Sequence, residues 1–133
     1  MSVMDETDWL EILNDLLKVG DLGGAEAFAQ TVNEPWQRAE ALCRVAKVLV
    51  KVNDHEGARR VWSEAVAVAQ DGERSINIQD SLDCASVLAE LSLDMLRAGE
   101  VTQAKGVAQS IRNEWGRNRA LSIVARVKDE LGR

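Results

Sequence analysis

The chain has one histidine, one proline, one phenylalanine, two cysteines and no tyrosine in 133 residues. A single imidazole removes nearly all histidine-based catalysis and metal ligation. Two well-separated cysteines, without C-x-x-C spacing, read as free thiols in a reducing compartment, so the expected location is cytoplasmic. Surplus positive charge is also missing. The formal charge is −6, with 16 Lys and Arg against 22 Asp and Glu. Non-specific nucleic-acid binding needs basic side chains to displace counterions from phosphates, so no nucleic-acid partner is expected. No apolar run approaches the length of a membrane span, and the N-terminus shows no basic stretch followed by an apolar one. Neither a membrane partner nor an export signal is expected.

What the chain does contain is apolar residues at 46%, dominated by Ala and Leu. That excludes a disordered chain, and the length suffices for one domain burying about two thirds of its unfolded surface. Trp9, Ile12, Leu13, Leu16 and Leu17 form one stripe of a 3.6-residue helix. Leu42, Val45, Ala46 and Leu49 repeat the spacing, as do Leu88, Leu91, Ser92 and Met95. Sustained period-two alternation is absent, so the fold class is all-α. Helices are predicted near 6–19, 22–32, 35–52, 55–70, 78–98, 101–112 and 115–131.

The chain also matches itself. Lys18-Val-Gly-Asp21 falls on Lys51-Val-Asn-Asp54 at an offset of 33, with Ala25 on Ala58. At an offset of 79, Leu17, Gly20, Ala25 and Gln30 fall on Leu96, Gly99, Ala104 and Gln109. In the same register Trp36, Arg38, Ala41, Leu42, Val45 and Ala46 fall on Trp115, Arg117, Ala120, Leu121, Val124 and Ala125. Each unit reads as two helices, the first closed by Gly20-Asp21, Asn53-Asp54 or Gly99-Glu100. Gly and Asn accept the left-handed conformation of a helix stop, and the next Asp can cap the following helix. The units are about 6–38, 39–84 and 85–117, followed by a capping helix at 118–131, all within a single domain at 1–133. The second step carries 13 extra residues, around Asp71–Asp80, expected as a projecting hairpin or a loop.

The pattern resembles the tetratricopeptide repeat. Its motif is met by Trp9-x-x-Ile12-Leu13-x-x-Leu16 with Ala25-x-x-x-Ala29. It recurs at Leu42-x-x-Val45-Ala46-x-x-Leu49 with Ala58-x-x-x-Trp62, and at Leu88-x-x-Leu91-Ser92-x-x-Met95 with Ala104-x-x-x-Ala108. The motif's Tyr and closing Pro are missing. Longer helical-pair repeats, such as the HEAT kind, share the apolar logic and stay open on the residues alone. The resemblance implies a right-handed α-α superhelix of three helical hairpins plus the capping helix. Stacked pairs then build a continuous core that no single pair can bury.

No catalytic residues are expected, and the chain does not read as an enzyme. His55 sits at a helix start, and Cys43 and Cys84 read as packing residues. Gly20, Gly23 and Gly24 lack the Lys-Ser/Thr ending of a P-loop, and read as a helix stop and a close helix–helix approach. No metal or cofactor is implied. The resemblance instead implies a protein-interaction module, acting as scaffold, adaptor or regulatory domain, whose first helices line a concave groove. The alternative is a small acidic chaperone holding one dedicated client.

In that register the first unit offers Thr7, Leu10, Asn14, Leu17 and Lys18 to the groove. The second offers Glu40, Cys43, Lys47, Val50 and Lys51. The third offers Ser86, Ala89, Leu93, Leu96 and Arg97, and the last helix Arg119, Ser122, Arg126, Asp129 and Glu130. The surface is net basic in an acidic chain, which favours an acidic protein or peptide. Asn14 echoes the family's clamp for chain ends, but Leu10 stands where its first Lys belongs. Trp36 and Trp115 are expected to wedge between repeats or to serve as secondary contacts. Ile76 and Ile78 in the extra segment are a second candidate contact. Residues 1–34 carry one basic and eight acidic side chains, and residues 101–133 seven basic and three acidic. Copies of the chain therefore have complementary ends for a head-to-tail contact.

Overall fold

In a computed structural model the described residues are 6–131, with side chains described from 8 to 130. Thr7, one of the expected groove positions, lies outside the described side chains. Every element among the described residues is a helix: α1 (Glu6–Lys18), α2 (Leu22–Ala29), α3 (Pro35–Lys51), α4 (His55–Glu73), α5 (Ile78–Arg97), α6 (Val101–Ser110) and α7 (Glu114–Leu131). Each predicted helix is present, with ends shifted by at most three residues. The chain forms two compact units, one running to Ala65 and the other starting at Val66.

In the first unit α1, α2 and α3 pack against one another. Trp9, Leu13, Ala25, Ala29, Leu42, Val45, Ala46, Val61 and Trp62 are buried. In the second, α5 packs on α6 and α7, and α6 on α7. Its core holds Leu88, Leu91, Met95, Leu96, Ala104, Ala108, Ile111, Ala120 and Val124. Ala25, Ala58 and Ala104 are fully buried. Overpacking such a position costs about 1–3 kcal/mol.

The sequence offsets correspond to repeated backbone devices. Gly20 (φ 81°), Asn53 (φ 65°) and Gly99 (φ 90°) are left-handed. At each, two backbone bonds close the helix. Gly20 and Asp21 donate to the carbonyls of Leu17 and Leu16, Asn53 and Asp54 to Val50 and Leu49, and Gly99 and Glu100 to Leu96 and Met95. This double closure satisfies carbonyls that the helix end would otherwise leave orphaned. Asp21 then accepts from Gly24 N, and Asp54 from Gly57 N, each at 2.9 Å. Gly20 and Gly24 of the glycine cluster are explained here, Gly24 differently from the expected close helix approach. A Cβ on Gly24 would collide with the capping carboxylate of Asp21, and one on Gly57 with that of Asp54.

The Trp-x-Arg pairs also divide their roles. Arg38 donates through Nε to the Val32 carbonyl (2.8 Å) and through Nη2 to the Asn33 carbonyl (2.9 Å). Arg117 donates to the Ile111 carbonyl (3.2 Å), the equivalent of Val32. Both arginines fasten the link preceding their own helix. The extra residues lengthen α4 and α5 to 19 and 20 residues and leave a short link at 74–77. Asn77 caps α5 by accepting from Asp80 N, and Ser81 Oγ donates to the Glu73 carbonyl. Ile76 and Ile78 are exposed beside this turn.

Candidate functional site

In the first unit one stripe of α1 and one of α3 meet at a depression of about 390 Å³, lined by Asn14, Leu17, Lys18, Arg44, Lys47, Val48 and Lys51. Residues three and four apart share a helix face, which is why 14, 17 and 18 act together, as do 44, 47, 48 and 51. The lining holds four cationic side chains and no carboxylate. Arg44 reaches Glu40 at 3.7 Å, while its Nε is buried without a hydrogen-bond partner. Lys18 and Lys51 occupy the last turns of their helices, where the helix dipole favours a cation. Arg97 holds the same place on α5. Of the expected groove residues, Asn14, Leu17, Lys18, Lys47 and Lys51 come together here. Val50 is half-buried and does not line the depression, and Cys43 is buried in the core instead of facing a groove.

In the second unit a more apolar groove of about 400 Å³ runs between α5 and α7. Leu82, Ala85, Ser86, Ala89, Glu90 and Leu93 line it from α5, Asn113 from the link before α7, and Trp115, Gly116, Arg119 and Ile123 from α7. The α5 residues form a second stripe beside the buried one of Cys84, Leu88, Leu91 and Met95. Leu93 is where it was expected. Arg97 and Arg126 are exposed outside this lining, and Leu96 is buried in the core, not groove-facing. Trp115 does not wedge between repeats. It is 70% exposed, with the Arg119 guanidinium 5.4 Å from its ring centroid. Trp36 is half-buried.

Glu73 is a feature that sequence reasoning missed. It is 5% exposed, at the end of α4. Its Oε2 accepts from the backbone N–H groups of Arg112 (2.8 Å) and Asn113 (3.0 Å), while its Oε1 is buried without a partner. Alongside, Gln70 Nε2 donates to Ser110 Oγ at 3.1 Å. Asn113 in turn caps α7 by accepting from Gly116 N at 2.7 Å. Glu73 therefore ties α4 to the link that presents Trp115. The only sequence signal was an acid at a helix end, where the dipole disfavours it.

Titration is displaced at Cys84 and in the Glu26–Arg60 pair. Burial, and secondarily the carboxylates of Asp80, Asp83 and Glu73, push the Cys84 thiol up to about 11. A thiol so raised holds little thiolate at neutral pH, which argues against a nucleophilic role. The Glu26 carboxyl is held below its ordinary value by its bidentate pairing with Arg60, at 2.5 and 2.8 Å. Both cysteines are buried, and no disulfide joins them. No helix among the described residues is long and apolar enough to cross a membrane. Comparison with family models, with curated proteins and with solved structures finds no match.

Proposed function

We propose that the chain is a tetratricopeptide-like helical-repeat module that binds an extended acidic segment of a partner protein on the α1–α3 face. The observation carrying this reading is the convergence of Lys18, Arg44, Lys47 and Lys51 with Asn14 around one depression. The recurrence of the helix stop, the Asp cap and the Arg link-fastener at the sequence offsets supports the repeat character. The mode of action is equilibrium binding on a preformed surface. Carboxylates of the partner supply charge complementarity, Asn14 a polar anchor, and Leu17 and Val48 apolar contact. An exposed ion pair contributes about 0.2–1 kcal/mol, so several must act together for useful affinity.

The test is fluorescence anisotropy with a labelled peptide of Glu, Asp and Leu residues, against a Lys-for-Glu control. The double variant Lys18→Glu, Lys51→Glu is expected to weaken binding at least about tenfold, near 1.4 kcal/mol. Its salt dependence should flatten, since fewer charges remain to be screened. Equal affinity for the acidic and basic peptides, or unchanged affinity in the double variant, overturns the reading.

A further inference from the structure

The α5–α7 groove belongs to a different unit from the basic depression and has a different chemistry. Its floor is mostly apolar, Glu90 is the one carboxylate in the lining, and one wall is an indole standing largely in solvent. Arg119 lies over that indole and makes no ion pair among the described residues. A side chain suited to the groove is therefore a branched aliphatic with a carboxylate close by. It would fill the space over Leu82, Ala89 and Ile123 and give Arg119 a counter-charge.

The chain carries that combination on its own surface. On α1, Glu11, Ile12 and Asp15 are exposed and fall within an arc of about 100° on a 3.6-residue helix. Val19, exposed just past the helix, continues the same stripe. This stripe adjoins the one bearing Asn14, Leu17 and Lys18, with Lys18 on the edge next to Glu11. Ile12 is 40% exposed, and Glu11 and Asp15 flank it without an ion pair among the described residues. The complementarity extends further, since residues 1–34 carry −7 and residues 101–133 carry +4.

We infer that the α5–α7 groove receives the Glu11–Ile12–Asp15 face of α1 from a second copy of the chain. Donor and acceptor surfaces differ, so the contact is heterologous. A pair so formed still has one unused donor face and one unused groove. Such a contact propagates unless its rotation closes a ring. Trp115 and Arg119 are the residue types that most often anchor interfaces.

Sedimentation equilibrium of the purified chain tests this, at low salt and over about 10 µM to 1 mM, the range in which weak contacts become populated. The weight-average mass is expected to climb above the 14.6 kDa of one chain. Salt near 1 M, where the Debye length is about 3 Å, should suppress the rise. Ile12→Asp and Trp115→Ala each replace an exposed residue. Both are expected to keep the wild-type circular dichroism and melting temperature and to weaken self-association at least about tenfold. Mixing them is the decisive measurement, because Trp115→Ala retains an intact donor and Ile12→Asp an intact groove. The mixture should form a complex of two chains that grows no further. A wild-type chain that stays monomeric throughout the range overturns the inference. So does association that survives in both variants alone, or a mixture that fails to pair. A monomer whose groove takes only a helix from an unrelated protein overturns it as well.

Discussion

Replacing Glu73 by alanine removes the acceptor shared by the Arg112 and Asn113 backbone donors. A hydrogen bond to a charged group contributes about 1.5–3 kcal/mol. Two such bonds set an upper bound near 3–6 kcal/mol. Two effects lower it. The link is only part-buried, so water can reach the released N–H groups. The sealed Oε1 already costs about 1–3 kcal/mol without a partner, and alanine removes that cost. The expected net loss is about 2 kcal/mol. For a chain of this size that corresponds to a melting point lower by about 8 °C. Glu73→Gln is the informative companion. Its amide oxygen can occupy the Oε2 position and accept from both donors, and no charge remains buried. Its expected loss is below about 1 kcal/mol. Thermal unfolding followed by circular dichroism at constant pH reads both. If Glu73→Ala melts with the wild type, the tie has no energetic role. If Glu73→Gln is as damaging as Glu73→Ala, the charge and not the acceptor oxygen matters, and the reasoning fails.

Three further outcomes are expected. Gly20→Ala and Gly99→Ala force a side chain into left-handed backbone and should each cost about 1–2 kcal/mol in urea unfolding; a loss no larger than that at an ordinary exposed site would contradict the role given to the helix stop. Arg38→Ala breaks two bonds to link carbonyls and Arg117→Ala one, so the first should lose about 1–2 kcal/mol and the second roughly half of that; an inverted order would refute the comparison. Because the Cys84 thiol is raised to about 11 in the folded chain, from an ordinary 9.0, its contribution is complete below pH 9 and is lost as pH rises through 11; urea midpoints should fall across that window in the wild type, and Cys84→Ala should fall less.

Local rules made most of the architecture legible. The repeated Gly/Asn-Asp signal located three helix stops because only a few residue types accept positive φ. The 3.6-residue stripes placed Trp9, Trp62, Leu88 and Leu91 in the core. The candidate surface was legible only in part. Asn14, Lys18, Lys47 and Lys51 were found by register alone. Register failed at Cys43 and Leu96, because α3 and α5 are buried on more than one side and a single stripe understates that. Of the two readings of Trp115, its exposure excludes only the wedge, which its bulk alone had suggested. Glu73 was invisible because its partners lie 39 and 40 residues away and are backbone groups, which carry no sequence signature.

The distribution of the four indoles has a spectroscopic consequence. Trp9 and Trp62 are buried and Trp36 half-buried, all in the first unit, while Trp115 stands alone and exposed in the second. With no tyrosine in the chain, essentially all emission at long excitation wavelengths comes from these rings. The blue part of the spectrum thus belongs to the first unit and the red edge to the second. A melt followed by total fluorescence is nearly blind to the second unit, whereas circular dichroism weighs both. Divergence of the two melts measures how independently the units unfold. A blue shift confined to the red edge signals that something has covered Trp115.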